Sequence, residues 1–167
     1  MTMWLAGMMG AGKSSSGSLA AAALGVSFYD TDAEVAKAFE ITVGELWDRL
    51  GEPGFRALEK AVVLRLAGEP AIVATGGGTV LDPENRQVMT ASGSVVWLQA
   101  PPEVLLERVG ASTGRPLLDR AEDRLGEISS LAEERAGRYQ EAASHVIDTS
   151  GKTIAEVADE IVSLWAS

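Results

Sequence analysis

Short apolar segments recur along the chain, and each is bounded by glycine, proline or polar residues. They are rich in β-branched and aromatic residues, and their apolar positions run continuously instead of alternating with polar ones. Strands of a parallel sheet that is covered by helices on both faces show this continuous pattern. We therefore expect buried parallel strands over residues 3–7, 26–30, 71–75, 94–100 and 145–149.

Helical patterns occupy the intervals between these segments. Thr42 with Glu45, and Thr153 with Glu156, have the spacing of capping boxes at helix N-termini. A proline pair at residues 101–102 suits the start of a helix, because an N–H in the first turn needs no intrahelical acceptor. The pattern predicts helices over residues 14–24, 42–50, 53–67 and 120–143, one that starts near residue 101 and one that follows residue 153.

The alternation of strands and helices predicts an α/β fold. Its expected form is a three-layer sandwich with a central five-stranded parallel sheet flanked by helices. The 167 residues fit a single domain over residues 1–167. The least hydrophobic segment, about residues 110–127, has no clear core-facing stripe, and we expect it to be mobile.

Composition and charge narrow the possible functions. The chain has no cysteine and one histidine, which excludes thiolate metal sites and disfavours a histidine-based one. With a net charge of −10, no nucleic-acid partner is expected. No segment has the roughly 18 apolar residues that a membrane span requires, so no membrane partner is expected either. Because neither a heptad pattern nor a long apolar patch is visible, we expect a monomer.

The first apolar segment bears on the location of the protein. It has no basic stretch and leads directly into a glycine-rich loop. These features favour a buried strand over a signal peptide. The cytoplasm is therefore the expected location.

The glycine-rich loop carries the strongest chemical signal. Residues 7–14 read GMMGAGKS and fit the pattern G-x-x-x-x-G-K-[ST], in which backbone N–H groups and a helix N-terminus bind phosphates. Lys13 would reach the β- and γ-phosphates of a nucleotide, and the Ser14 hydroxyl would bind Mg²⁺. The pattern therefore predicts a P-loop NTPase-type fold with ATP and Mg²⁺ as cofactors. The expected nucleotide contacts are Gly10, Ala11, Gly12, Lys13, Ser14 and Ser15.

Two aspartates, Asp30 and Asp32, lie at the end of the second predicted strand. Ligands bind beyond the carboxyl ends of strands in open α/β sheets, so Asp30 could face Mg²⁺ and Asp32 a substrate hydroxyl. Asp32 could equally cap the N-terminus of a helix, and the pattern alone does not separate the two roles.

Two further clusters could bind a substrate. Arg56 and Glu59 lie three residues apart on a predicted helix and can pair, which would hold the guanidinium for a carboxylate. Taken alone, this cluster is better explained as a surface ion pair. Residues 76–78 are three consecutive glycines, which would let a ligand approach the backbone closely. A plain turn would need fewer glycines.

Together these motifs make the chain resemble the shikimate kinases along nearly its full length. The matching motifs are D-x-D at Asp30 and Asp32, G-E-x-x-F-R-x-x-E at residues 51–59, the glycines at residues 76–78, R-P-L at residues 115–117 and R-x-x-x-Y at Arg135 and Tyr139. Because five matches occur in order and at the family's spacing, the resemblance is specific.

The resemblance implies a nucleoside monophosphate kinase-like fold and a defined reaction. A substrate-binding helical region would span about residues 32–60, and a mobile lid about residues 110–127. The implied enzyme is an ATP-dependent kinase that phosphorylates the 3-hydroxyl of shikimate. Its product would be shikimate 3-phosphate, in the route to chorismate and the aromatic amino acids.

The resemblance also implies how the substrate would be bound. Arg56 and Arg135 would clamp the shikimate carboxylate. Asp32 would orient the attacking 3-hydroxyl and could also take its proton. Gly77 would offer a backbone N–H, with Gly78 beside it in the same site.

Further implied roles concern the phosphates and the walls of the site. Asp30 would hold Mg²⁺ through water, and Arg115 would close over the site and neutralise charge on the transferred phosphoryl group. Trp47 and Phe55 would form apolar walls of the substrate pocket. Arg108 could lie near the adenine or be an exposed helix charge.

Two alternative functions stay open at this point. A kinase for another small polyol acid, such as gluconate, would share the glycine-rich loop but has no reason to carry both Arg56 and Arg135. A nucleotide-binding regulatory protein descended from a kinase would be expected to have lost a catalytic residue. Lys13, Asp32 and Arg115 are all present, which disfavours that reading.

Overall fold

A single parallel sheet organises the molecule. The computed structural model describes residues 1–110 and 116–165. Its five strands lie in the order β2-β3-β1-β4-β5, and every neighbouring pair is parallel. The strands are β1 Thr2–Ala6, β2 Ser27–Asp30, β3 Ala71–Ala74, β4 Gly93–Gln99 and β5 His145–Asp148. Each begins and ends within one residue of a predicted segment, so the predicted α/β fold is confirmed.

Helices flank the sheet and connect its strands. They are α1 Lys13–Leu24, α2 Thr31–Phe39, α3 Val43–Leu66, α4 Pro83–Ser92, α5 Pro102–Val109, α6 Pro116–Asp119, α7 Arg124–Ala142 and α8 Ile154–Trp165, with a 3₁₀ turn at Thr79–Leu81. Helix α1 packs against α8, whereas α4 and α5 pack against α7. Among the described residues, no helix combines the length and the apolar character that crossing a membrane would require.

Three of these helices are not among those that the apolar pattern predicts: α2, α4 and the four-residue α6. Helix α2 follows β2 without an intervening loop, so no turn residue marks its start. Helix α4 did have a local signal, because Asp82 accepts a hydrogen bond from the Glu84 N–H and Pro83 occupies the first helical position.

The central strand explains why the apolar segments are continuous. Met3, Trp4 and Leu5 of β1 have no solvent exposure, since β1 lies between β3 and β4 in the sheet. The Trp4 indole N–H donates to the Ser92 hydroxyl across 3.1 Å. Burial of Trp4 therefore leaves no unsatisfied donor on the ring, as buried indoles require.

A kink divides α3 into two helical halves. Gly51 has φ 66° and ψ 177°, a combination that side chains disfavour strongly. The break falls between the two helices predicted over residues 42–50 and 53–67. It lets Trp47 from the first half and Phe55 from the second meet, with ring centroids 5.7 Å apart, in a small apolar cluster separate from the main core.

Parallel strands place their carboxyl ends at one edge of the sheet. The glycine-rich loop follows β1, Asp30 ends β2, the triple glycine follows β3, and Thr149 follows β5. Chain topology thus brings together segments that are far apart in sequence, at the edge where α/β proteins bind ligands.

Candidate active site

The glycine-rich loop joins β1 to the N-terminus of α1. Gly10 and Gly12 have positive φ angles of 80° and 92°, which let the backbone curl. The Lys13 ammonium group is buried at the centre of this curl and donates to the carbonyls of Gly7 and Met8 across 2.8 and 2.9 Å. The loop therefore holds a positive charge rigidly beside a helix N-terminus, an arrangement suited to phosphate groups.

A cavity of about 420 Å³ opens beside the loop. Arg108 lies on its wall, where the guanidinium donates to the Thr149 hydroxyl across 2.8 Å and to the Thr149 carbonyl across 2.5 Å. Lys152 also lines the cavity and pairs with Glu160 across 2.6 Å. Arg108 is thus anchored at this cavity and is not a free-standing helix charge. The predicted nucleotide contacts at residues 10–15 line the same space, whereas Arg115, also predicted to contact the nucleotide, lies outside the described residues.

A second cavity, of about 350 Å³, adjoins the first. The two cavities share Met9, Lys13 and Ser14 in their walls. Within the described chain, the second cavity collects the other predicted site residues: Asp30, Asp32, Trp47, Phe55, Arg56, Gly77, Gly78 and Arg135. A group bound beside Lys13 in the first cavity would therefore face a molecule bound in the second.

Asp30 has a structural and a chemical role at once. One of its carboxylate oxygens accepts hydrogen bonds from the N–H groups of Asp32 and Ala33 and so caps α2. The other accepts from the Ser14 hydroxyl across 2.5 Å. Asp30, and not Asp32, is therefore the N-cap that the sequence left open, which frees Asp32 for the cavity.

The pair formed by Ser14 and Asp30 fits a magnesium ion. Both supply hard oxygen donors, and Mg²⁺ commonly takes one or two protein oxygens beside nucleotide phosphates and water. No cluster of three or more metal-ligating side chains occurs in residues 1–110 and 116–165. The donor set suits an ion that is shared with a nucleotide better than one held by protein alone.

Asp32 sits in an unusual electrostatic environment. Its Oδ1 atom is buried and accepts no hydrogen bond from any described residue. Burial, followed by the negative charges of Glu59 and Asp30, raises the pKa of Asp32 from 3.8 to about 7, against the opposing effect of Arg56 and Lys13. A carboxyl group with this pKa can exchange a proton near neutral pH, as general acid–base residues must.

The pair formed by Arg56 and Glu59 is largely buried. A guanidinium nitrogen lies 2.8 Å from Glu59, whose side chain has no solvent exposure, while the Arg56 side chain is 24% exposed. Glu59 also accepts a hydrogen bond from the Thr79 hydroxyl. The expectation that this cluster, taken alone, is a surface ion pair is therefore wrong. Buried charges of this kind need partners of good geometry, which Glu59 has.

Aromatic and charged neighbours fix the Arg56 guanidinium in place. It lies 5.7 Å from the ring centroid of Trp47 and 5.8 Å from that of Phe55, and Glu52 is 3.4 Å away. Burial would lower the pKa of Arg56, but the charge and hydrogen bond of Glu59, together with the charges of Glu52 and Asp32, outweigh it and raise the pKa. Arg56 thus stays charged and can present its guanidinium to a carboxylate. Trp47 and Phe55 line the second cavity and also pack in the small apolar cluster. The sequence allowed both roles.

The triple glycine is needed for space. A Cβ atom at Gly78 would collide with the Arg56 guanidinium, and one at Gly76 with the carboxylates of Glu59 and Asp32. At Gly77 a Cβ would lie 3.1 Å from the Arg135 guanidinium, which is tighter than usual packing. Charged side chains approach this backbone from several sides and leave no room for a Cβ atom. The sequence did not reveal this reason for the glycines.

Arg135 enters the cavity from α7 and is 2% exposed. Together with Arg56 and Lys13 it concentrates positive charge in a protein whose net charge is −10. Such a concentration favours a substrate that carries a carboxylate.

The predicted lid is described only in part. Arg115 lies outside the described residues, as does the rest of the segment 111–115. After that segment, Pro116 and Leu117 line the second cavity, and Leu118 is fully buried. The mobility of residues 110–127 and the role of Arg115 stay predictions.

Sequence reasoning missed two hydroxyl groups that brace the site. The Thr31 hydroxyl accepts from the Gly76 N–H across 2.9 Å, and Thr79 donates to Glu59. Neither threonine belongs to a motif whose chemistry is evident from spacing, so nothing in the sequence marked them.

Comparison with known proteins agrees with this geometry. The family model described as shikimate kinase matches residues 9–166. A shikimate kinase of Halorhodospira halophila is 42% identical over 96% of this chain and 90% of its own length. The solved structure titled shikimate kinase from Acinetobacter baumannii in complex with shikimate is 34% identical, covers 98% of this chain and 91% of its own, and has a TM-score of 0.93. A gluconokinase of Sinorhizobium meliloti, at 19% identity and a TM-score of 0.59 over 99% of this chain and 91% of its own, shares the fold alone.

Proposed function

The chain belongs to the shikimate kinase family, so its reaction is the ATP-dependent phosphorylation of shikimate in the aromatic pathway, and we propose that the acceptor is the 3-hydroxyl group. The product would be shikimate 3-phosphate, on the route to chorismate. One observation carries the proposal: two cavities, one suited to a nucleotide and one to a carboxylate, share Lys13 and Ser14. A γ-phosphate beside these residues lies where an acceptor in the second cavity can attack it.

Residues 10–15 hold the nucleotide phosphates in this proposal. The loop N–H groups and the N-terminus of α1 attract the negative charge. Lys13 bridges the β- and γ-phosphates and neutralises charge as the terminal bond breaks. Its two carbonyl contacts keep the ammonium group in place before the nucleotide arrives.

Ser14 and Asp30 are the proposed holders of Mg²⁺. When bound, the ion would neutralise negative charge on the phosphates during transfer. Asp30 is well placed for this task, because its capping bonds to α2 orient the carboxylate. Ser14 lies in the first turn of α1, the helix that receives the phosphates, so both donors are fixed by secondary structure.

Shikimate would occupy the second cavity with its carboxylate between Arg56 and Arg135. Two guanidiniums with fixed geometry bind a carboxylate more strongly than flexible ammonium groups would. The N–H groups of Gly77 and Gly78 make no hydrogen bond to another described residue, so either can donate to the substrate. The apolar faces of Trp47 and Phe55 would cover the ring.

Asp32 is the proposed partner of the attacking hydroxyl. Its unbonded Oδ1 atom would accept the 3-hydroxyl proton as a hydrogen bond and so orient the oxygen toward the γ-phosphate. Because a loose phosphoryl-transfer transition state demands little from a base, orientation is the larger contribution. The pKa near 7 allows Asp32 to take the proton as the new bond forms.

The other proposals concern the state of the protein. We propose a monomer in the cytoplasm, with no nucleic-acid or membrane partner. The net charge of −10 supports the lack of nucleic-acid binding. Sedimentation of the purified protein checks the monomer, since a mass near 17.5 kDa is then expected.

The position of the transferred phosphate tests the proposal. The product of the reaction with Mg·ATP and shikimate is purified, and phosphorus–proton coupling identifies the carbon that carries the phosphate. Coupling to the proton on carbon 3 is expected. Coupling to another ring proton would overturn the assignment of the 3-hydroxyl and the orientation given to Asp32.

A further inference from the structure

Tyr139 connects the core to the substrate cavity. It lies one helical turn after Arg135 on α7 and is only 1% exposed. Its ring stacks on Trp97 of β4, with centroids 5.5 Å apart and an angle of 22° between the planes. Its hydroxyl leaves the core and donates to the Gly77 carbonyl across 2.6 Å. Burial and stacking of the ring are enough to explain an aromatic residue at this core position. The hydrogen bond of the hydroxyl therefore needs a separate explanation.

The hydroxyl is a dependable donor. Burial raises the pKa of Tyr139 to about 12, against the opposing effect of the neighbouring Arg135 guanidinium. The phenol therefore stays protonated at neutral pH. A short contact from a protonated, buried phenol to a backbone carbonyl is a bond that the folded protein retains.

The segment that accepts this bond is hydrogen-bonded at both of its ends, because the Leu81 N–H also donates to the Gly78 carbonyl across 3.0 Å. Three consecutive glycines have more backbone freedom than any other tripeptide, because none has a Cβ atom. On one side the Thr31 hydroxyl holds the Gly76 N–H, and the Thr79 N–H donates back to the Gly76 carbonyl. The peptide between Gly77 and Gly78 has one described contact that fixes its orientation, the bond from Tyr139.

Orientation of this peptide matters for the substrate. A trans peptide is planar, so its N–H points away from its carbonyl. A bond that holds the Gly77 carbonyl toward α7 therefore directs the Gly78 N–H to the opposite side. Both glycines line the second cavity, and the Arg135 guanidinium packs against Gly77.

We propose that Tyr139 is a positioning residue for shikimate, whose hydroxyl fixes the peptide between Gly77 and Gly78 so that its N–H and the adjacent Arg135 meet the substrate together. The inference rests on the proposed function, because it assumes that shikimate occupies the second cavity. Tyr139 does not touch the substrate in this account. It acts through the backbone of Gly77 and through the face of α7 that it shares with Arg135.

The variant Tyr139→Phe tests this role, because it keeps the stacked ring and removes the hydroxyl alone. The matched control is Tyr29→Phe, since Tyr29 is the only other tyrosine, is half-buried, and has a hydroxyl that makes no hydrogen bond to a described residue. We expect Tyr139→Phe to raise the KM for shikimate about 10-fold, as loss of one buried hydrogen bond does. The KM of Tyr139→Phe for ATP should stay within about twofold of wild type, and so should the KM values of Tyr29→Phe for shikimate and for ATP. Neither change touches the first cavity.

The possible outcomes separate the positioning role of Tyr139 from the proposed function. Equal rises in both KM values would show a general structural role and overturn the inference. A wild-type KM for shikimate in Tyr139→Phe would overturn it as well, while leaving the proposed function intact. If the wild-type enzyme itself neither binds nor phosphorylates shikimate, the proposed function fails, and the inference fails with it.

A second measurement covers the case in which Tyr139→Phe does not fold. In Tyr29→Phe protein that is labelled with 3-fluorotyrosine, Tyr139 is the only fluorinated residue. We expect its fluorine resonance to shift when shikimate is added and to stay in place when ATP is added. A resonance that ignores shikimate at concentrations that saturate the enzyme would contradict the coupling between Tyr139 and the substrate.

Discussion

The raised pKa of Asp32 lowers the stability of the folded protein at neutral pH, and we expect the same residue to support activity. In the unfolded chain its carboxyl group ionises near the ordinary value of 3.8, whereas in the folded protein its pKa is about 7. Between these pH values the folded protein holds a proton that the unfolded chain releases. Stability from Asp32 is therefore fully present below the lower value and is lost as the pH rises toward 7.

The variant Asp32→Asn should remove this penalty. Without ligands at pH 8, we expect its free energy of unfolding to exceed that of wild type by about 1 to 3 kcal/mol, and at pH 4 by much less. Its turnover of shikimate should fall sharply, because an amide cannot take the hydroxyl proton and is a weaker acceptor than a carboxylate. Chemical denaturation at both pH values measures the difference, with the exposed Asp48 changed to Asn as a control. The same stability difference at pH 4 and pH 8 would contradict the raised pKa.

Glu59 holds the Arg56 guanidinium across 2.8 Å, and we expect it to affect shikimate binding through this contact. The variant Glu59→Gln keeps the shape and the acceptor for Thr79 but turns an amide donor toward the Arg56 guanidinium. Because a buried charge without its partner is costly, we expect the KM for shikimate to rise about 10- to 100-fold, with much less change for ATP.

Glu52→Gln is the matched control for Glu59→Gln. Glu52 approaches the same guanidinium at 3.4 Å, but its side chain is 42% exposed. Exposed ion pairs contribute little, so this variant should alter the KM for shikimate by less than about threefold. Equal effects of the two changes would show that burial of Glu59 is not what positions Arg56.

Helix α3 lines the second cavity with residues from both of its halves, and the kink between the halves depends on Gly51. Alanine at this position would have to adopt φ 66° and ψ 177° or straighten the helix. We expect Gly51→Ala to lower the free energy of unfolding by about 1 to 3 kcal/mol. Thermal and chemical denaturation measure the loss.

Gly137→Ala is a control within another helix. Gly137 lies inside α7, and a Cβ there meets no atom within 4 Å. Since alanine favours helices over glycine, this change should stabilise the protein by about 0.5 to 1 kcal/mol. If both changes had the same sign, the strained backbone at Gly51 would not be the cause of the expected loss.

Elements differed in how well the sequence predicted them. The strands were predicted within one residue, because continuous apolar runs between polar boundaries have few alternatives in a soluble chain. The predicted break in α3 was also correct, since glycine and proline cluster at residues 51–54. Helix α2 was not predicted from the apolar pattern, because its N-cap, Asp30, is also the last residue of β2. Local pattern cannot assign one residue to two elements.

The fold of the whole molecule determines which distant residues meet, and the sequence motifs do not contain this information. Spacing placed Arg56, Gly77 and Arg135 in separate segments, and only the parallel topology brings the two guanidiniums and the Gly77 backbone into one cavity. The burial of Glu59 and the contact between Tyr139 and Gly77 arise from packing between elements that are 20 and 62 residues apart along the chain. Such contacts leave no periodic signal, so a single sequence cannot reveal them.

The central claim is that the paired cavities transfer phosphate from ATP to shikimate at Lys13. The most direct test measures ADP release by the purified protein with Mg·ATP and either shikimate, gluconate or no acceptor, with Lys13→Ala as the inactive control. We expect ADP release that depends on shikimate, none above background with gluconate, and none from Lys13→Ala. Release with gluconate instead of shikimate, or full activity of Lys13→Ala, would contradict the account.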